Sequence, residues 1–197
     1  NGFANGQFVM YQSSNGGAGW SSFAPGGPST YYFDIKFLPT NTNLGWTVGS
    51  GGNIRYTTNG GTSWTHVTAG TQYLRKVFFI DANTGTAIGL LGTIRRTTNG
   101  GVNWTVQSVP ADNLYDVRFL NSNTGFICGD AVFYKTTNGG TSWSNPGAPV
   151  KLFRGTFFID ANTGEVISKF NHTCTLDGVV VATAKDLNAV TKSFNVT

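Results

Sequence analysis

Apolar side chains recur along this chain at every second position and in short runs, not at helical spacing. The pattern is clearest where Lys76-Val77-Phe78-Phe79-Ile80 leads into a polar turn at Asp81 to Gly85, a short run Thr86-Ala87-Ile88 follows, and Gly89-Leu90-Leu91-Gly92 turns the chain again. Thr93-Ile94-Arg95-Arg96-Thr97 comes next, then an Asn99-Gly100-Gly101 turn, then Trp104-Thr105-Val106-Gln107. Alternation of period two puts successive side chains on opposite faces of a strand, so this stretch predicts four short β-strands. No segment offers a helical apolar stripe of useful length. Asn-Gly between alternating runs predicts hairpins, since a type I′ turn needs the positive φ that Asn and Gly adopt at little cost.

The same phrases return along the chain. One is Ser13-Ser14-Asn15-Gly16-Gly17-Ala18-Gly19-Trp20, repeated as Thr57-Thr58-Asn59-Gly60-Gly61-Thr62-Ser63-Trp64, Thr97-Thr98-Asn99-Gly100-Gly101-Val102-Asn103-Trp104 and Thr136-Thr137-Asn138-Gly139-Gly140-Thr141-Ser142-Trp143. A decayed fifth copy, Thr175-Leu176-Asp177-Gly178, carries Ala182 where the spacing predicts Trp. A second phrase keeps step with the first: Thr42-Asn43-Leu44-Gly45-Trp46-Thr47-Val48-Gly49, then Asn83-Thr84-Gly85 to Gly89, Asn123-Thr124-Gly125 to Gly129, and Asn162-Thr163-Gly164 to Ser168. Four-stranded units recurring about every 40 residues are the signature of a β-propeller.

Five such periods account for the 197 residues. The reading is an all-β, five-bladed β-propeller of four-stranded antiparallel blades in one domain, 1–197. The blades fall at about 1–32 plus 190–197, 33–73, 74–113, 114–151 and 152–189. The first unit opens at Gly2-Phe3-Ala4-Asn5-Gly6, which matches a second strand, and it lacks a first strand of the Phe33-Asp34-Ile35-Lys36-Phe37 kind. The last unit is followed by a spare alternating segment, Lys192-Ser193-Phe194-Asn195-Val196. The expectation is that this C-terminal strand pairs with the N-terminal blade, closing the ring and covering its open edges. A start at Asn1 suggests a processed or excised segment.

Composition narrows the function classes. The chain has 27 Gly, 27 Thr and 19 Asn, and charged residues are only 11% of it, against roughly 25% in ordinary globular domains. The net charge of +4 comes from scattered Lys and Arg, and without a basic stripe a nucleic-acid partner is not expected. No apolar run approaches the length of about 18 residues that a membrane-spanning helix needs, so no membrane insertion is expected, and no signal peptide is visible. Two cysteines, Cys128 and Cys174, fall in different units and are read as free, small buried hydrophobes. Neither a metal nor a cofactor is expected: His66 and His172 are isolated and read as surface or turn residues.

The phrase Ser/Thr-x-Asn-x-Gly-x-x-Trp resembles the Asp-box, or bacterial neuraminidase repeat, with Asn replacing Asp in four copies and Asp177 retaining it in the fifth. The longer pattern, Val-x-Phe, Asn-Thr-Gly and Thr-Thr-Asn-Gly-Gly-x-x-Trp, is similar to the repeats of photosystem II stability and assembly factor-like propellers. Similar repeats occur in secreted bacterial glycoside hydrolases and sortilin-type receptors. The resemblance covers nearly the whole chain and implies a propeller fold. It also implies that the motif lies on the third-to-fourth strand turn, away from the usual active face. Asn15, Asn59, Asn99, Asn138 and Asp177 are accordingly read as turn caps, and Trp20, Trp64, Trp104 and Trp143 as locks that hold each outer hairpin to its own or the neighbouring blade.

Candidate chemistry lies on the other face, built by the fourth-to-first connections and the second-to-third turns. Equivalent positions there carry Phe33, Arg75, Tyr115 and Arg154, followed by Asp34, Lys76, Asp116 and Gly155. The candidate ligand-binding rim is Asp34, Arg75, Tyr115, Asp116 and Arg154, in which Arg grips carboxylates in a fork and Tyr stacks on a sugar ring. No catalytic residue is assigned. Glycoside hydrolysis asks for two carboxylates about 5 to 9.5 Å apart; the one Glu, Glu165, is placed by register on the opposite face, leaving Asp34 and Asp116 as the sole pair to consider. The sequons at Asn103, Asn171 and Asn195 are read as chance products of an Asn- and Thr-rich chain. The expected function is a secreted or cell-surface, non-enzymatic binding or adhesion module, extracellular or periplasmic, with a glycan or protein ligand. The alternatives are a protein-docking assembly-factor scaffold and a glycoside hydrolase or hydrolase-derived domain.

Overall fold

The computed structural model describes residues 2–5, 8–25, 30–110, 112–130 and 132–146, and beyond them the strands over 153–158, 163–168, 173–176, 179–183 and 194–195. The chain divides into two compact units, Asn1–Leu90 with Ile94–Gln107, and Leu91–Thr93 with Ser108–Thr197. Both are built from antiparallel sheets.

In the first unit β1 (Gly2–Asn5), β2 (Met10–Ser13) and β3 (Ser21–Phe23) form a three-stranded sheet with β1 at its edge. β4 (Tyr32–Leu38), β5 (Asn41–Gly49), β6 (Asn53–Thr57) and β7 (Thr65–Thr68) form a four-stranded sheet in chain order. β8 (Leu74–Phe79), β9 (Gly85–Gly89), β10 (Thr93–Thr97) and β11 (Thr105–Ser108) repeat that arrangement. These are the strands that the alternation and turns predict. β9 is buried along its whole length. A strand covered on both faces loses the polar-out, apolar-in alternation, which accounts for the small, mixed run Gly85-Thr86-Ala87-Ile88. The core gathers Trp46, Val48, Ile54, Leu74, Val77, Phe79 and Ala87, with Trp104 packed against it.

In the second unit β12 (Leu114–Phe119), β13 (Gly125–Gly129) and β14 (Val132–Thr136) form a three-stranded sheet, and a bridge between Lys135 and Ser144 marks the place of a fourth strand. Leu114, Val117, Phe126, Ile127, Cys128 and Phe133 are its buried apolar residues, and the Phe126 and Phe133 rings stack with centroids 5.6 Å apart. The remaining strands are β15 (Phe153–Phe158), β16 (Thr163–Ser168), β17 (Thr173–Leu176), β18 (Val179–Thr183) and β19 (Phe194–Asn195).

One expectation about this end of the chain is corrected. The C-terminal strand pairs with β16 and not with the N-terminal sheet: Thr163 lies opposite Asn195 and Gly164 opposite Phe194. The edge of β16 away from β15 takes up this extended segment, as an open sheet edge does. β17 and β18 pair with each other in a two-stranded sheet.

Candidate functional site

The repeated Asn-Gly-Gly turns are built alike. In each, a Ser or Thr hydroxyl at the end of the third strand donates to the Asn side-chain oxygen, 2.9 Å for Ser13 to Asn15, 2.9 Å for Thr57 to Asn59, 3.0 Å for Thr97 to Asn99 and 2.9 Å for Thr136 to Asn138. The same hydroxyl accepts the N–H of the second glycine, Gly17, Gly61, Gly101 or Gly140, at 2.8 to 3.0 Å. The Asn Oδ1 also accepts the N–H four residues on, at Gly19, Ser63, Asn103 and Ser142. Positive φ falls on both glycines of each turn and not on Asn, which corrects the expected type I′ placement. The Asn holds the loop through its side chain, and the glycines supply the left-handed backbone. The sequon residue Asn103 sits inside this network, and the turn residue Asp177 lies outside the described residues.

The tryptophans join these turns to the sheets. Trp64, Trp104 and Trp143 stand edge-on to the first-strand phenylalanines Phe37, Phe79 and Phe119 at 5.9, 5.9 and 5.8 Å. An aromatic from the preceding sheet completes two of these clusters. Phe3 stacks on Phe37 at 4.5 Å, and Trp46 stacks on Phe79 at 3.5 Å while its Nε1 donates to the Gly100 carbonyl at 2.8 Å. Trp20 is different: 49% of its surface is exposed, and among the described residues its sheet consists of β1, β2 and β3.

The nominated rim positions share one backbone feature. Pairing runs from Tyr32–Gly49 to Asp34–Val48, from Leu74–Gly89 to Lys76–Ile88, from Leu114–Gly129 to Asp116–Cys128 and from Phe153–Ser168 to Gly155–Ile167. Phe33, Arg75, Tyr115 and Arg154 are therefore the extra residues of four equivalent β-bulges. A bulge re-aims the side chain it carries and bends the strand. In three copies the residue before the strand turns its carbonyl onto the second-to-third turn, with Tyr31, Tyr73 and Asn113 accepting from Ser50, Leu90 and Asp130 N–H at 2.9, 3.0 and 2.8 Å. A Cβ on Gly49, Gly89 or Gly129 would overlap those carbonyl oxygens, so the second glycine of the Asn-Thr-Gly phrase serves close backbone approach.

In the first unit the bulges present an aromatic face. Phe8, on the second-to-third turn of the first sheet with φ of 65°, packs on Tyr31 at 4.8 Å. Phe33 packs on Tyr73 at 5.9 Å, and the Arg75 guanidinium lies 5.6 Å from the Phe33 ring centroid. Tyr31 and Tyr73 remain 39% and 43% exposed. A left-handed Phe is uncommon and carries backbone strain. Flat rings beside a delocalised cation form a surface for stacking and cation–π contacts.

Asp34 is largely buried and engaged between two strands. Its carboxylate accepts from the Lys76 ammonium at 3.2 Å and from the Val77 N–H at 3.0 Å, tying β4 to β8. Burial pushes its carboxyl above the usual carboxylate value, with Lys76 and the Val77 bond opposing that shift. In the second unit, the equivalent Asp116 is buried, with Arg118 Nε at 3.9 Å. Nearby Cys128 is a free, fully buried thiol, driven well above its usual pKa by burial and secondarily by the Asp116 charge; a thiol held protonated is a poor nucleophile. Tyr115 donates to Asp130 Oδ2 at 2.9 Å, and Asn113 Nδ2 donates to the same oxygen at 3.0 Å. The side chain of Arg154 lies outside the described residues.

The structure thus adds Phe8, Tyr31, Tyr73 and Asp130 to the positions of interest. Each lies on a fourth-to-first connection or a second-to-third turn, the loops in which unlike residues are expected, and Asp130 stands where the other copies have Ser50 and Leu90. The contacts of Phe8 with Tyr31 and of Phe33 with Tyr73 are not readable from spacing, since they join residues of neighbouring sheets in the first unit.

No family model matches the chain, and no curated protein matches it. Among solved structures, it is similar to an ancestral GH74 enzyme, with 20% identity and a TM-score of 0.69 over 83% of this chain and 25% of that one. It is similar to YCF48 from Cyanidioschyzon merolae, with 24% identity and a TM-score of 0.55 over 66% of this chain and 44% of that one. It is also similar to the WD40 β-propeller domain of Doa1, with 12% identity and a TM-score of 0.57 over 84% of this chain and 59% of that one. The fold is that of β-propellers, and the chain spans a quarter of the GH74 enzyme's length and less than half of the Cyanidioschyzon merolae protein's.

Proposed function

We propose that the chain is a non-enzymatic, five-bladed, Asp-box-type propeller module of the cell exterior or surface, and that it holds a glycan or protein ligand against the aromatic face of its first unit. The observation that carries this reading is the pairing of exposed Tyr31 and Tyr73 with Phe8 and Phe33, with Arg75 over the Phe33 ring. Exposed aromatic rings held rigidly by neighbours bind at low entropic cost, because little side-chain freedom remains to be lost. The non-enzymatic part draws on Asp34, whose carboxylate oxygens are taken up by Lys76 and the Val77 N–H.

The test is a glycan-array screen alongside co-purification, each repeated with Tyr31→Ala and Tyr73→Ala. Either substitution is expected to weaken binding by about 1–2 kcal/mol, a factor of about 5 to 30. A ligand retained at full affinity by both variants refutes the assignment. A protein-docking scaffold is the second reading, supported by the likeness of the repeat to assembly factor-like propellers; a stoichiometric co-purified partner with no glycan signal selects it. Turnover of a glycoside substrate that is lost in Asp34→Asn or Asp116→Asn selects a hydrolase instead.

A further inference from the structure

β6 carries a cation where its neighbours are apolar: Ile54 and Arg55 are both buried, so the strand meets packed groups on both faces. A guanidinium stays charged at any ordinary pH. Burying one therefore calls for an anionic partner and a full set of acceptors, and an arginine is almost never fully buried without them.

Arg55 is 6% exposed. Among the described residues the ion pairs are Lys76 with Asp34 and Arg118 with Asp116, so no carboxylate pairs with Arg55. Its Nε is buried and has no hydrogen-bond partner. Arg95, also buried, shows one remedy: its Nε donates to the Ala69 carbonyl, and its Nη1 donates to the Ile94 carbonyl at 3.0 Å.

Tyr32 supplies a second buried donor at the same place. It lies opposite Gly49 on β5, while Arg55 lies opposite Thr47. Thr47 and Gly49 are two residues apart, so Tyr32 and Arg55 share one face of the sheet. Tyr32 is 5% exposed, and its hydroxyl has no hydrogen-bond partner either. Burial raises the phenol pKa, and the adjacent Arg55 guanidinium opposes that rise. The same charge is felt on the other side: His66, opposite Arg55 on β7, has its pKa lowered first by burial and then by Arg55. All of these groups belong to the first unit.

We infer that Arg55 and Tyr32 form a binding site for a small inorganic monoanion of the halide class, which accepts from Arg55 Nε and from the Tyr32 hydroxyl. Buried polar groups that the protein itself leaves unsatisfied call for a water or an ion. A water answers the hydrogen bonds but leaves the charge unbalanced, whereas one halide answers both. The burial of the two groups excludes a bulky carboxylate or phosphate ligand. A halide that binds the folded chain and not the unfolded one stabilises it by mass action.

The test is urea titration at neutral pH in sodium chloride, bromide or fluoride at matched ionic strength, on the wild type, Arg55→Met and Tyr32→Phe. Fluoride is the reference, since its tight hydration shell disfavours entry into a buried site. For a dissociation constant of about 10 mM, about 100 mM chloride is expected to raise the folded-to-unfolded ratio about tenfold over fluoride, saturably, and bromide to do the same. Arg55→Met keeps an unbranched stem and removes the charge, and is expected to abolish this excess. Tyr32→Phe keeps the ring and removes one donor, and is expected to shift half-saturation to higher chloride; it carries the test alone where Arg55→Met does not fold. Equal ratios in chloride and fluoride for the wild type overturn the inference. So does a chloride excess that either variant keeps unchanged, because the anion would then sit elsewhere.

Discussion

Replacing Trp46 tests how the sheets of the first unit are held together. Its ring is 1% exposed, stacks on Phe79 at 3.5 Å, and donates through Nε1 to Gly100 at 2.8 Å. Phe79 in turn supports Trp104 at 5.9 Å. Trp46→Ala removes a buried aromatic, which costs about 3–5 kcal/mol through lost transfer free energy and the cavity left behind. Trp46→Phe keeps a ring on Phe79 but removes the indole hydrogen bond and part of the buried ring, a smaller loss of about 1–3 kcal/mol. For a chain of this length, a loss of about 4 kcal/mol corresponds to a fall in Tm of about 8–16 °C. The assay is urea titration followed by far-ultraviolet circular dichroism, which does not depend on the removed fluorophore. A loss under about 1 kcal/mol for Trp46→Ala would refute the reasoning, as would equal losses for the two variants, because ring burial and stacking stabilise the sheets more than the single hydrogen bond does.

Two further outcomes follow from the buried polar groups. Thr97→Val keeps the side-chain shape but strands the buried Gly101 N–H and removes the bond to Asn99, at 3.0 Å each. It is expected to cost about 1–3 kcal/mol in urea titration, and Ser13→Ala less, because the Gly17 turn is exposed. Asp34 sets a pH dependence: its folded-state pKa is raised above the ordinary 3.8 by burial, so the folded state binds more protons than the unfolded one. Its contribution to stability is therefore fully present below 3.8 and declines as pH rises through the raised value. The difference in urea midpoint between wild type and Asp34→Asn across that window should show this slope, and a slope of opposite sign would contradict it.

The strands are legible in the sequence because alternation and turn residues agree: the run Thr93 to Thr97 predicts one strand and is β10. The turns are legible as turns but not in detail. A side-chain acceptor on Asn59 shifts the positive φ onto Gly60 and Gly61, a division of labour that composition does not reveal. The bulges at Phe33, Arg75 and Tyr115 are invisible, since one extra residue in a strand leaves a sequence of ordinary length. Register places Asp34 and Arg75 near the strand starts, where they lie, but it does not show that the Asp34 carboxylate bonds to Lys76 and Val77. The partner of the C-terminal strand is not legible, because Phe194 and Asn195 make a two-residue pairing that any open edge of compatible register accepts.

The most direct test is to map ligand binding by nuclear magnetic resonance, titrating the labelled chain with whichever glycan or protein the screens return. The account predicts that the perturbed signals centre on Phe8, Tyr31, Phe33, Tyr73 and Arg75. Perturbations centred on the Asn59 and Asn99 turns, with the signals of Tyr31 and Tyr73 unmoved, would contradict it.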